Sequence, residues 1–320
     1  MVGSTLKKLP FFMPFAGCRG QCVYCNQRAI TGIEHIPSPQ EVRSTLEMLN
    51  EPREVCFFGG SFCRFPYKVI REYLQCVADY APSGSTVRFS TYPGDLRDDG
   101  LRSLIKQYSI SRIELGIPTL DSAVLSACKR EADPQKIFED IRTLVGDGLP
   151  IGVQMMIGLP GQTCASSLSD LSALAKIKGR DRWDLRLYPC LVIKGTELAA
   201  LYESGRYVPL TVHEAALWGG RFIYNALKMG FVPIRIGLQE TLSLAADTVA
   251  GPHCPALGEL ILAEADAIRL AEESPKGPWR VPKKHISRFT GHRKFGIGRL
   301  AFHAGVSPDE VEKRIFYDQG

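Results

Sequence analysis

The chain has 320 residues, 45% hydrophobic and 23% charged, which is the composition of a globular enzyme and excludes a disordered or fibrous chain. No apolar run approaches the roughly 18 residues that cross a bilayer, and Met1–Lys8 lacks the apolar core of a secretory signal, so a cytoplasmic protein without a membrane partner is expected. Net charge is +5, yet eight Lys or Arg and no Asp or Glu fall between Lys276 and Arg299, so the rest of the chain nets −3.

In chain order, Phe-rich Leu9–Phe15 is the first strand-like run. Glu54–Phe58, Thr86–Thr91, Arg112–Ile117, Gly152–Ile157 and Trp183–Ile193 follow. Helical spacing fills the gaps. Val42, Leu46 and Leu49 follow a Ser38 cap with Pro39 at the first helical position. Later helices are marked by Val69, Ile70 and Leu74; by Leu101, Leu104 and Ile105; by Phe138 to Val145; by Leu168, Leu171 and Leu174; and by Ala215–Leu227.

Six strand–helix alternations with short loops predict an α/β fold with parallel strands, either an open (βα)6 barrel or a doubly wound sheet. In both, chemistry sits at the C-terminal ends of the strands. After about residue 235 the alternation stops, dividing the chain into 1–235 and a C-terminal extension, 236–320. There Leu257–Leu270 reads as a helix and Ser274–Lys284, with three prolines, as a linker or extended arm. Ser307–Phe316 reads as a short capped helix.

Ten cysteines in a reducing compartment are not expected to form a disulfide framework. Cys56, Cys76 and Cys128 sit in apolar contexts and read as small buried hydrophobes. Cys18-x3-Cys22-x2-Cys25 reads differently. Three close thiolates can hold three irons of a cubane and leave the fourth open, or hold zinc with a remote ligand such as His35, Cys63 or Cys254. The Gly59-Gly60 turn after the second strand allows close backbone approach to a ligand, or makes an ordinary tight strand–helix turn. His253-Cys254 reads as a turn with an incidental thiol or as a metal-ligating pair.

With Tyr24 before the last cysteine, the cysteine motif resembles the signature of the radical S-adenosylmethionine (radical SAM) superfamily. The resemblance implies a partial (βα)6 TIM-like barrel and a [4Fe–4S] cluster on Cys18, Cys22 and Cys25. It also implies S-adenosylmethionine on the unique iron, a 5′-deoxyadenosyl radical that abstracts hydrogen, and an electron donor such as flavodoxin or ferredoxin. Gly59, Gly60 and Ser61 stand where that family meets the methionine amino group, with Ser61 where many members carry Glu. Ser90, Glu114 and Arg130 stand where it meets the ribose and carboxylate, and Gly158 and Gly161 near the adenine.

Arg186–Thr196, which includes Tyr188 and Leu191, is similar to the sixth strand and following loop of the radical domain of the elongator catalytic subunit. More distantly the chain resembles oxygen-independent coproporphyrinogen III oxidase. Cys190 stands where Thr is expected and reads as a packing cysteine. About 80 residues after the matching region leave no room for an acetyltransferase domain, so acetyl-CoA chemistry is not expected.

The basic segment interleaves charge with Trp279, Phe289 and Phe295, a pattern suited to phosphates and unpaired bases, which makes tRNA a candidate partner. A small anionic, tetrapyrrole-like metabolite and a non-catalytic zinc module are the competing readings.

Overall fold

The structure, a computed structural model, describes residues 6–18, 20–130 and 132–318; the first five residues of the Met1–Lys8 start lie outside these. Strands β1 (Lys7–Met13), β2 (Arg53–Gly59), β3 (Thr86–Thr91), β4 (Ile110–Gly116), β5 (Ile151–Ile157) and β6 (Asp184–Pro189) are parallel neighbours in that order. A two-residue strand, β7 (Val192–Ile193), follows β6, and the sheet then gains a seventh member, β8 (Val232–Ile236), beside β6. The sheet curls into a half-barrel with helices outside, the partial TIM-like α/β architecture expected.

The alternation of strand side chains builds this shape. Val87, Phe89, Ile113, Leu115, Val153, Met155, Leu185 and Leu187 are buried in one core with helix residues such as Ile70, Leu104, Ile141 and Leu171. The intervening positions, including Arg88, Glu114, Gln154 and Arg186, carry polar groups to the concave side, as the period of two requires. The Ser38 cap forms as expected: its hydroxyl accepts from Glu41 N–H and the Glu41 carboxylate accepts from Ser38 N–H.

Two strand expectations need correction. The alternation does not stop at six, because Val-Pro-Ile-Arg-Ile forms β8 although Pro233 and Arg235 interrupt its apolar run. The sixth strand ends at Pro189 and not at Ile193, since β7 turns away to pair antiparallel with β9 (Thr248–Ala250).

The extension is also more ordered than its sequence suggests. Helix Leu257–Glu273 packs against helix Val212–Lys228 on one side and helix Phe295–Ala304 on the other. Strand β10 (Trp279–Pro282) lies within the segment expected to be a linker and pairs in parallel with β11 (Ile315–Asp318). The terminal helix accordingly stops at Arg314.

Trp279 and Phe289 are fully buried in a second core with Leu300 and Val311, and the Trp279 indole N–H donates to Ser274 O at 2.7 Å. Neither ring is open to a base, which overturns the stacking role expected for them. Four basic residues are paired: Arg299 with buried Glu264, Arg288 with Asp266, Lys294 with Glu312, and Arg280 with Asp318. Lys276, Lys283, Lys284 and Arg293 stay exposed, with no carboxylate within 4.0 Å among the described residues. None of the described helices is long and apolar enough to cross a membrane.

Candidate active site

The cysteine loop begins where β1 ends. Ala16 N–H donates to Met13 O at 3.1 Å, Cys18 N–H to Phe15 O at 3.0 Å, and Cys25 N–H to Cys22 O at 2.9 Å. Buried Val23 anchors the loop from outside: its N–H donates to Cys128 O at 3.2 Å and its carbonyl accepts from Leu198 N–H at 2.8 Å. Asn26 caps helix Gln27–Thr31 and donates to Lys194 O at 3.0 Å, tying the loop to the chain beyond β6.

The thiols of Cys18, Cys22 and Cys25 thereby line one cavity of about 330 Å³ at the C-terminal ends of the strands. Tyr24, Gly59, Gly60, Ser61, Ser90, Arg130 and Tyr188 line it too. Gly60 serves close approach in a particular way. A Cβ there would stand 1.9 Å from Ala16 O, and one at Gly17 would stand 2.4 Å from Ser61 O. The Gly-Gly turn and the cysteine loop interlock backbone to backbone, joined by Ser61 N–H to Ala16 O at 2.6 Å and Gly60 N–H to Met13 O at 3.0 Å.

Ser61 is occupied within the fold. Its hydroxyl donates to Asp95, accepts from Tyr92 N–H at 2.8 Å, and lies 3.0 Å from Thr91 Oγ1. Arg64 Nε donates to the same Asp95 at 2.7 Å. Ser90 Oγ, by contrast, is buried with no hydrogen-bond partner among the described residues. Arg130 donates from Nη2 to Gly116 O at 2.6 Å and from Nη1 to Cys22 Sγ at 3.6 Å, with its guanidinium 5.2 Å from the Tyr92 ring centre. Gln27 accepts from Phe15 N–H at 2.7 Å and donates to Cys25 Sγ at 3.7 Å. Burial, then the neighbouring Cys22, pushes the Cys25 thiol up to about 12; burial likewise raises Cys18. A coordinated metal reverses this and takes such a thiol as thiolate.

Beneath the cavity lies a layer of buried ion pairs. Glu114 accepts from Arg88 Nη1 at 2.8 Å, Arg186 Nη2 at 2.8 Å and Gln154 Nε2 at 2.7 Å. Burial alone would raise its pKa; the Arg186 charge and these donors outweigh that and hold it below the ordinary carboxylate range. Glu114 therefore lies under the cavity and reaches it through Gln154, which lines it, and through Arg186 beside Tyr188, which also lines it.

Gly158, Gly161 and Leu191 do not line the cavity. Gly158 O accepts from Tyr207 OH at 2.6 Å. Leu191 borders a second cavity of about 140 Å³ near β8, together with Arg235, His253 and Cys254. The remote ligands considered for zinc are elsewhere: His35 faces Glu41 at 3.1 Å, Cys63 is buried with its N–H on Thr91 Oγ1, and Cys254 lies in that second cavity. Among the described residues no three His, Cys, Asp or Glu side chains close around a single ion. Cys56, Cys76, Cys128 and Cys190 are buried, as their apolar contexts suggest. Gln27, Asp95, Gln154 and Arg64 were not legible as site residues; each gains its role from a partner remote in sequence or from a turn geometry.

A curled parallel half-barrel with a three-cysteine loop after its first strand and an interlocked Gly-Gly turn after its second defines the radical SAM class of enzyme. Residues 12–165 match the Radical SAM superfamily and residues 183–267 the Radical_SAM C-terminal domain, so the chain belongs to the radical SAM superfamily.

It is 30% identical over 105 residues to a tRNA uridine(34) acetyltransferase of Methanocaldococcus jannaschii, covering 33% of this chain and 19% of that protein. It is 25% identical over 232 residues to the protein of that name from Dehalococcoides mccartyi, covering 60% and 50%. The chain thus spans from about a fifth to half of these relatives' lengths. The structure of archaeal Methanocaldococcus infernus Elp3 superimposes with a TM-score of 0.60 at 18% identity, over 84% of this chain and 63% of that one, a likeness of fold.

The family implies an iron–sulfur cluster and S-adenosylmethionine. The residues present fit both: three soft sulfur donors face one cavity of ligand size, and Ser90, a buried hydroxyl with no partner among the described residues, lines it too.

Proposed function

We propose that Cys18, Cys22 and Cys25 hold three irons of a [4Fe–4S] cluster and that the cavity beside them seats S-adenosylmethionine on the fourth. When bound, this pair supplies a 5′-deoxyadenosyl radical for hydrogen abstraction, given one electron from a donor such as flavodoxin or ferredoxin. The chain's own residues bind and orient. Gly59 and Gly60 offer a wall without side chains, and Ser90 offers the hydroxyl that lacks a partner. Arg130 places its guanidinium beside Cys22, and Tyr24 closes the loop side of the cavity. Glu114 acts from below by holding Gln154 and Arg186, while Tyr188 faces the space left for substrate.

The observation that carries this reading is the convergence of the three thiols with the Gly-Gly turn on one cavity at the C-terminal ends of the strands. We further propose that residues 1–235 perform the radical chemistry and that 236–320 present a tRNA to it in the cytoplasm. Support comes from the relatives' printed names and from Lys276, Lys283, Lys284 and Arg293, exposed cations without a paired carboxylate among the described residues.

The test is anaerobic reconstitution, followed by incubation with S-adenosylmethionine and reduced flavodoxin, with and without bulk tRNA. Expected are about four iron and four sulfide per chain, release of 5′-deoxyadenosine, and a new nucleoside only when tRNA is present. One zinc and no sulfide would refute the cluster. Full cofactor cleavage with unaltered tRNA would refute the RNA substrate and leave a small anionic metabolite in its place.

A further inference from the structure

Arg130 and Gln27 make contacts that cofactor binding alone does not explain. Each holds one backbone group of the site and turns its remaining donor onto a cysteine sulfur. Arg130 is pinned to the end of β4 by Gly116 O at 2.6 Å, and its other terminal nitrogen points at Cys22 Sγ, 3.6 Å away. No carboxylate lies within 4.0 Å of this guanidinium among the described residues; its neighbours are the Tyr92 ring and thiols. Among the described residues this half-buried cation has no counter-ion, and the negative charge that metal-bound thiolates bring beside it supplies one.

Gln27 is oriented unambiguously. Its Oε1 accepts from Phe15 N–H at 2.7 Å, so the group facing Cys25 Sγ at 3.7 Å is the amide N–H. Cys18, the least buried of the three, has no side-chain donor among the described residues.

We propose that Arg130 and Gln27 are positioning residues that set the reduction potential of the iron–sulfur cluster, by donating N–H bonds to the sulfurs of Cys22 and Cys25. This rests on the cluster reading above. Hydrogen bonds to ligand sulfurs, local charge and burial govern the potentials of such clusters. Reduction adds one negative charge, and a fixed cation with N–H dipoles aimed at the sulfurs stabilises that added charge. The pair therefore raises the potential towards the reach of a low-potential one-electron donor.

The experiment is a dye-mediated redox titration of the reconstituted full chain, read by low-temperature EPR, with iron and sulfide counted in every sample. Arg130→Met removes charge and donors; Arg130→Lys returns the charge without the fork; Gln27→Glu keeps the acceptor for Phe15 and removes the donor to Cys25. At the poise that half-reduces wild type, Arg130→Met is expected to lower the reduced-to-oxidised ratio about tenfold, a shift of about 59 mV for a one-electron couple. Arg130→Lys should recover part of it, and Gln27→Glu should shift the same way as Arg130→Met. Loaded variants with the wild-type midpoint would overturn the proposal. So would an unchanged midpoint with weakened S-adenosylmethionine binding, which makes Arg130 a cofactor ligand. If Arg130→Met takes up no cluster, Arg130→Lys and Gln27→Glu decide by the same criterion. A wild-type chain that takes up no iron and sulfide refutes the proposed function instead.

Discussion

Gly60→Ala tests the interlock between the Gly-Gly turn and the cysteine loop. The added methyl would stand 1.9 Å from Ala16 O, 2.5 Å from Ala16 N and 2.6 Å from its carbonyl carbon, all backbone atoms. Ordinary contact lies near 3.5 Å, so the loop must retreat by roughly 1 Å or more. That retreat strains the Ser61 N–H bond to Ala16 O and the Gly60 N–H bond to Met13 O. Overpacking costs about 1–3 kcal/mol, and two weakened hydrogen bonds add about 1 kcal/mol each.

The cheaper escape is for the loop to detach while the barrel stays folded. A shift of about 3 kcal/mol changes that docking equilibrium roughly a hundredfold. Iron and sulfide per chain should fall to a small fraction of wild type, with a modest change in the denaturant midpoint. Gly20→Ala is the control: it lines the same cavity, yet a Cβ there meets nothing within 4 Å. Gly60→Ala protein with wild-type iron, sulfide and midpoint would refute the interlock.

Other outcomes follow from the same structure. Cys18→Ala, Cys22→Ala and Cys25→Ala should each abolish the cluster's broad visible absorbance, whereas Cys76→Ala should keep it, since that thiol contacts Pro39 O away from the cavity. Trp279→Ala should destabilise the extension by about 3–5 kcal/mol in urea denaturation, as removal of a buried large aromatic does, without altering the salt slope of RNA binding. Changing Lys276, Lys283, Lys284 and Arg293 together to Ala should weaken tRNA retention and flatten its salt dependence without unfolding, because all four are exposed. Glu114 has a depressed folded pKa, so its stabilisation is present above the ordinary carboxylate value and is lost as pH falls through that value towards the lower one. Glu114→Gln should therefore flatten the acid limb of the stability–pH curve.

The first six strands were legible because short runs rich in β-branched and aromatic residues recur between helical patterns with short connections. β8 was not, because an edge strand tolerates Pro233 and Arg235, which break such a run. The cysteine loop was legible because its three thiols fall within one eight-residue stretch, 18–25. Ser61, read as a stand-in for a cofactor-binding Glu, is engaged by Asp95 from 34 residues away, a pairing no local pattern reveals. The basic segment misled for the same reason. Its local charge density is real, but Glu264, Asp266, Glu312 and Asp318 pair with half of it from elsewhere in the chain. Hydrophobic Trp279 and Phe289 were judged by their charged neighbours in sequence, whereas folding gave them a core of their own.

Because the sheet never closes, β1 and β8 each have a strand partner on one side only. A closed barrel has no such margins; this one carries two strips of backbone able to recruit a stray strand from another copy. Both margins bear the marks of protection against that. β1 places Pro10 among its residues behind Lys7 and Lys8, and β8 places Pro233 two positions before Arg235. Proline withdraws a donor and the cations repel their own kind, so the sheet can stay open without becoming adhesive along its seams.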